Sequence, residues 1–166
     1  MKLAGFHARI EYFHAVSGVT VRAIGQFTDE ELSFRPQPGM RSAGELIFHL
    51  CAQEKALAEA CPAGKMTAED ASAMVPETQP APADLARVDT VAGAQAFARD
   101  CHQAATAAWM SLTEETLNRD VESPFGTYPA WKFFNFAYDE HWHHRGQLYT
   151  YLRLLGKEPV MLYDYQ

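Results

Sequence analysis

From Pro129 to Gly156 the chain reads PAWKFFNFAYDEHWHHRGQLYTYLRLLG. Pro129 suits a first helical turn, where its missing N–H costs nothing. Gly156, followed by Pro159, is a good helix stop. At 1.5 Å per residue such a helix spans ~40 Å, enough to run the length of a bundle. The stretch therefore predicts one long helix, and the fold depends on what it can pack against.

Working outward, three more stretches carry helical periodicity. From about His7 to Phe27, Ile10, Phe13, His14, Ser17, Val21 and Ile24 form a stripe at spacings of three and four. Gly18, Gly25 and the β-branched residues lower its intrinsic propensity, so packing must hold it. Thr28–Leu32 reads as a short turn-like or helical connector, and Arg35-Pro36-Gln37-Pro38-Gly39 as a breaker. Ser42-Ala43-Gly44-Glu45 is a capping-box pattern opening a second helix through Leu46, His49, Leu50, Gln53 and Leu57 to Cys61-Pro62. A third, capped by Asp89 or Thr90, runs through Phe97, Cys101, Ala104, Ala108 and Leu112. Between Pro62 and Val88 the composition turns to Pro, Ala, Thr and acids, which reads as a surface connection with a short helical piece. Ser123–Pro129 reads as a turn. Sustained alternation and Asn-Gly or Asp-Gly turns are missing, so strands are not expected. The expectation is an all-α four-helix bundle, one domain over residues 1–166.

Composition narrows the function. The chain has 166 residues, 48% hydrophobic and 21% charged, as globular proteins do. Its 14 Lys and Arg against 21 Asp and Glu give a net charge of -7, a poor match for nucleic acid or anionic lipid. No apolar run approaches the ~20 residues of a membrane span. His7, Arg9 and Glu11 interrupt any signal-peptide core, so a cytoplasmic location is expected. Cys51, Cys61 and Cys101 cannot all pair and form no CxxC, which argues against a disulfide scaffold or zinc ribbon.

The histidines carry the chemistry. Glu140 and His144, four apart, share a helix face and can point at one atom; His141 and His144, three apart, can do the same. His49 lies mid-helix among Leu46, Ile47, Phe48 and Leu50, where a polar ring needs a partner. Each has a plainer reading. A lone histidine on an apolar face is usually hydrogen-bonded core, and His14 and His102 are read that way. Arg145 is read as a tie between helices, and Phe133, Phe134, Phe136, Tyr138 and Trp142 as packing. What favours a metal is convergence: bundle-core sites are built from acids and histidines on facing helices.

Two segments carry a family resemblance. Arg41–Leu50 (RSAGELIFHL) and His143–Gly156 (HHRGQLYTYLRLLG), with Ser33-Phe34-Arg35-Pro36 and the closing Gly-x-x-Pro, resemble the DinB/YfiT-like family over most of the chain. The resemblance implies an up-down-down-up four-helix bundle, often a homodimer. It also implies a divalent metal, zinc or nickel, held by one histidine on the second helix and a His-x3-His pair on the fourth. His49 matches the first ligand and His144 the last. The middle position falls on Glu140, a departure from the commonest pattern that is similar to the mycothiol-dependent maleylpyruvate isomerase branch. His141 is the rival. A carboxylate is a sound zinc ligand, and it makes the metal a weaker Lewis acid than a third neutral imidazole would.

Characterised relatives are thiol-dependent enzymes using mycothiol or bacillithiol, so the resemblance names the site better than the substrate. The leading expectation is a metal-dependent thiol S-transferase or isomerase with a small-molecule substrate. Alternatives are a metal-dependent hydrolase and a non-enzymatic, metal-stabilised bundle. No nucleic-acid or membrane partner is expected. Substrate selectivity is expected from the Pro62–Val88 connection and the C-terminal Tyr163-Asp164-Tyr165.

Overall fold

A computed structural model describes residues 1–165. Four long helices make the frame: α1 (Leu3–Ile24), α2 (Ala43–Ala63), α4 (Val91–Met110) and α6 (Ala130–Leu154), with the short α3 (Ala68–Ala73) and α5 (Glu114–Asn118) between them. Stops and caps act where the sequence places them. Ser42 and Glu45 form the capping box of α2, and Gly64 (φ 74°) ends that helix in the left-handed region glycine adopts without strain. Thr90, not Asp89, caps α4 by accepting from the Gly93 amide. Pro62 is tolerated inside the last turn of α2. The Pro62–Val88 connection is more ordered than a surface loop: it contains α3 and a 3-10 turn, Ala83–Val88.

Side-chain pairs give the helix directions. Phe48 stacks on Phe97, and further along Glu54 meets His102, so α2 and α4 run parallel. Phe6 meets Phe134 and Phe13 meets His141, so α1 and α6 run parallel as well. Tyr151 donates to the Arg41 carbonyl and the Cys61 thiol to that of Ala130, which makes α2 and α6 antiparallel. The up-down-down-up bundle follows.

One expectation fails. Asp120–Ser123 (β1) and Gly126–Pro129 (β2) form an antiparallel hairpin where a turn was expected, with Ser123 opposite Gly126. Gly126 (φ 120°) supplies the conformation that the missing Asn-Gly signal would have marked. The Ser123 hydroxyl closes the turn, accepting from the Phe125 amide and donating to the Gly126 carbonyl. Val121 is fully buried, and Glu122 bonds to Gly64 and Met66, so packing against the end of α2 holds four-residue strands that are marginal alone. The hairpin delivers the chain into α6 and sets Phe125 and Tyr128 beside the cleft described below.

The core has two apolar halves. One gathers Ile24, Leu46, Ile47, Phe48, Phe97, Leu148 and Leu152. The other gathers Phe6, Phe13, Leu57, Trp109, Phe133 and Phe134. Between them, along all four long helices, lies a polar layer: Thr20, Glu54, His102, His141 and Arg145 are all buried. Burying such groups costs about 1–3 kcal/mol each if left unmade, and His102 bonds to Glu54 and Thr20 to His141. Arg145 donates to the Val16 carbonyl at 3.1 Å and lies over the Trp142 ring, tying α6 to α1 as expected. No helix among the described residues is long and apolar enough to cross a membrane.

Candidate metal centre

His49 on α2 and Glu140 and His144 on α6 come together at the edge of the polar layer, their ligand atoms all within 4.8 Å of one another. Glu140 and His144 meet because they are one helical turn apart. His49 reaches them because α2 and α6 pack side by side; its ring lies edge-on to that of His144, centroids 4.9 Å apart. Glu140 Oε2 stands 3.1 Å from His144 Nε2.

Hydrogen bonds settle which nitrogen each imidazole presents. His49 Nδ1–H donates to the Met74 carbonyl at 2.7 Å. His144 Nδ1–H donates to Gln147 Oε1 at 2.9 Å, and Gln147 in turn donates to His143 Nε2 at 3.1 Å. Both rings therefore turn Nε2 toward the cluster. His144 Nε2 is buried and makes no hydrogen bond. Burial pushes both imidazoles toward the neutral form, His49 to about 4. An orphaned ring nitrogen, a second neutral imidazole and a carboxylate are a donor set that suits a divalent metal of the zinc type. The outer bonds to Met74 and Gln147 are the kind that orient metal-bound histidines.

His141 goes elsewhere. It is 2% exposed, with Nδ1 3.4 Å from Glu54 Oε2 and Nε2 hydrogen-bonded to the Thr20 hydroxyl at 2.7 Å. His102 Nδ1–H donates to the other Glu54 oxygen at 2.6 Å, and its Nε2 is hydrogen-bonded to His14 Nδ1 at 3.0 Å. His102 is thus the hydrogen-bonded core histidine expected; His14 is hydrogen-bonded too but exposed. Glu54 is the residue that sequence reasoning missed. It occupies the apolar register Leu46, Leu50, Glu54, Leu57, Cys61 on α2, and a carboxylate in that register is itself the signal. Although burial opposes its charge, the hydrogen bond from His102 and the nearby His141 ring hold Glu54 below the usual carboxylate range.

His49 and Glu140 line a cleft of about 820 Å³. Its walls are Leu57 on α2, Ala68, Ala71, Met74 and Val75 on the connection, and Phe125, Tyr128 and Phe136 from the hairpin and α6. Gln53, Ser72 and Thr78 add hydrogen-bonding groups, and Asp139 joins Glu140 as a second acid; no Lys or Arg lines it. The Pro62–Val88 connection thus forms a wall of the cleft, and Phe136 is a cleft residue as well as packing. Tyr163–Tyr165 do not line this cleft: Tyr165 bonds to Tyr12 at 2.9 Å on α1. The protein's own thiols are out of play, since burial raises Cys51 well above its ordinary value and pushes Cys61 and Cys101 up to about 12.

Comparison with known proteins gives a consistent picture. The model of the DinB family matches residues 4–166. No curated protein matches the sequence. Among solved structures, a DinB-like protein from Bacillus subtilis superposes with a TM-score of 0.72 at 21% identity, over 93% of this chain and 95% of that one. A mycothiol-dependent maleylpyruvate isomerase superposes with a TM-score of 0.67 at 14% identity, over 89% of this chain. This chain spans 63% of the isomerase chain, so the likeness is one of fold.

Proposed function

The chain belongs to the DinB family, and from that premise we propose a divalent-metal-dependent enzyme of the thiol S-transferase or isomerase type. His49, Glu140 and His144 would hold the metal, zinc or nickel. The observation that carries this is the convergence of two Nε2 atoms and a carboxylate beside a cleft of small-molecule size, with both rings already oriented. When bound, the metal supplies a Lewis acid that lowers the pKa of a thiol or water, so that a nucleophile exists at neutral pH.

The chain's own residues do the rest. Met74 and Gln147 fix the tautomers of His49 and His144, so no reorientation precedes binding. Phe125, Tyr128, Phe136 and Leu57 seat an apolar electrophile and exclude water around it. Gln53, Ser72 and Thr78 offer hydrogen bonds to a polar co-reactant such as a sugar-bearing thiol. With the cysteines silenced by burial, a thiolate must come from outside the protein. The structural likeness to a mycothiol-dependent isomerase supports the thiol assignment at the level of fold.

Hydrolysis is the second reading, favoured by Asp139, which is exposed in the same cleft and can accept a proton from water. The test uses protein purified without a His-tag, with elemental analysis and turnover measured on electrophiles with mycothiol, bacillithiol or no thiol. Thiol-dependent turnover that His49→Ala abolishes is the expected result. Turnover of esters without thiol supports hydrolysis, and bound metal without turnover on any substrate supports a structural role.

A further inference from the structure

A second cleft, of about 630 Å³, opens between α1 and α4. Its electrostatics are the reverse of the first. In a chain with 21 acids and 14 Lys and Arg, it is lined by Arg99, His14 and His102 and by no Asp or Glu. Gly18, Val21 and Ala107 give it an apolar floor. Arg99 is exposed and forms no ion pair among the described residues. Thr106 also lines the cleft, with its Oγ1 turned into the protein and without a hydrogen-bond partner.

The two histidines are not loose surface groups. Wholly buried Glu54 fixes His102 through Nδ1, and His102 fixes His14 through Nδ1 in turn, with the two rings stacked 5.1 Å apart. This string runs from the centre of the polar layer out to the cleft. It leaves one ring nitrogen of His14, Nε2, for a visitor. That imidazole is held by two successive hydrogen bonds, so little rotamer freedom is lost when it binds.

We propose that the α1–α4 cleft is a second ligand site, distinct from the metal centre, for a small monocarboxylic acid with an apolar body. Arg99 pairs with the carboxylate. His14 turns its free ring nitrogen, Nε2, to the same headgroup as a second polar contact. The floor of Gly18, Val21 and Ala107 holds the apolar body. The inference is independent of the reaction at His49, Glu140 and His144.

Benzoate is the probe, with benzamide as its uncharged match, titrated into the metal-loaded protein and followed by amide NMR and calorimetry. Benzoate should bind saturably, shifting amides of residues 14–18 and 103–107. Arg99→Gln and His14→Gln, both at exposed positions, should each weaken it about tenfold or more, the loss expected for a hydrogen bond to a charged group. Benzamide should bind about tenfold more weakly, and His49→Ala should leave benzoate binding unchanged. Absence of saturable binding overturns the proposal. So does equal binding of benzamide, which would mean an apolar hollow only, or loss of benzoate binding in His49→Ala, which would place it on the metal.

Discussion

His49 donates its Nδ1–H to the backbone carbonyl of Met74, 2.7 Å away and 25 residues on. The connection that walls the cleft therefore also sets the tautomer of a candidate metal ligand. Arg41 clamps the same connection through Glu77, at 2.8 Å, from just before α2. Substrate wall and metal ligand are one mechanical unit.

The two outer contacts should differ in weight. Gln147→Leu removes the acceptor that orients His144 and should lower metal affinity about 10–100-fold. Glu77→Gln breaks a half-exposed ion pair worth roughly 0–1 kcal/mol, so affinity should fall by less than about fivefold. Competition with a chromogenic chelator measures both.

Metal removal should leave the bundle standing. Both halves of the core close without help from the site, unlike a zinc finger that is unfolded when apo. After chelation the far-UV circular dichroism should keep its helical signal, with a lower Tm, since a ligand that binds only the folded state stabilises it by mass action. Collapse of the helical signal at room temperature would contradict this.

The polar layer should make the metal-free protein sensitive to acid. Burial lowers His49, His141 and His144 from their ordinary value of 6.5, so the unfolded chain binds protons more readily. Their contribution is full above 6.5 and is lost as pH falls. Glu54 lies below its ordinary 4.5, so its contribution is present above 4.5 and lost beneath it. Both act in the same direction. The urea midpoint should decline from pH 6.5 and more steeply below 4.5. Glu54→Gln should cost about 1–3 kcal/mol at neutral pH, because a side-chain amide cannot accept from His102 and His141 on both of its ends. A flat urea midpoint between pH 7 and 4 would contradict the account.

What was legible in the sequence follows from what is local. The four long helices carry their own periodicity and caps, so Ser42–Glu45 and Gly156 could be read directly. The Glu140–His144 pairing is one helical turn and was equally plain. The hairpin was hidden because its strands are four residues long and rely on the end of α2 rather than on alternation. The Glu54–His102–His14 string was hidden because its members sit on three helices. Only helix packing brings them together, and each alone resembles an ordinary core or surface residue. The interior residues of α1 show the same limit: the stripe named His14 and Val21, while packing turns Val16, Thr20 and Ala23 inward instead.

The choice between Glu140 and His141 yields the sharpest test of the metal centre. The two are adjacent on α6 and point to different partners. Glu140 faces His144 at 3.1 Å, whereas His141 is committed to Thr20 and Glu54 on the neighbouring flank of the helix. With two neutral imidazoles and one carboxylate, a divalent ion leaves a site of formal charge +1, against +2 for three histidines. A bound water should then be less acidic than in an all-histidine site, while an ionised thiolate would bring the site to neutrality. Glu140→Gln should lose much of the metal affinity, since the amide keeps the shape but not the charge. Glu140→His should keep metal, with the bound-water pKa lowered. His141→Ala should leave affinity nearly intact but reduce stability by about 1–3 kcal/mol, because Glu54 and Thr20 lose a buried partner. Chelator competition and urea unfolding on the same three variants separate the two effects. If His141→Ala releases the metal while Glu140→Gln retains it, the ligand set is wrong and His141 takes Glu140's place.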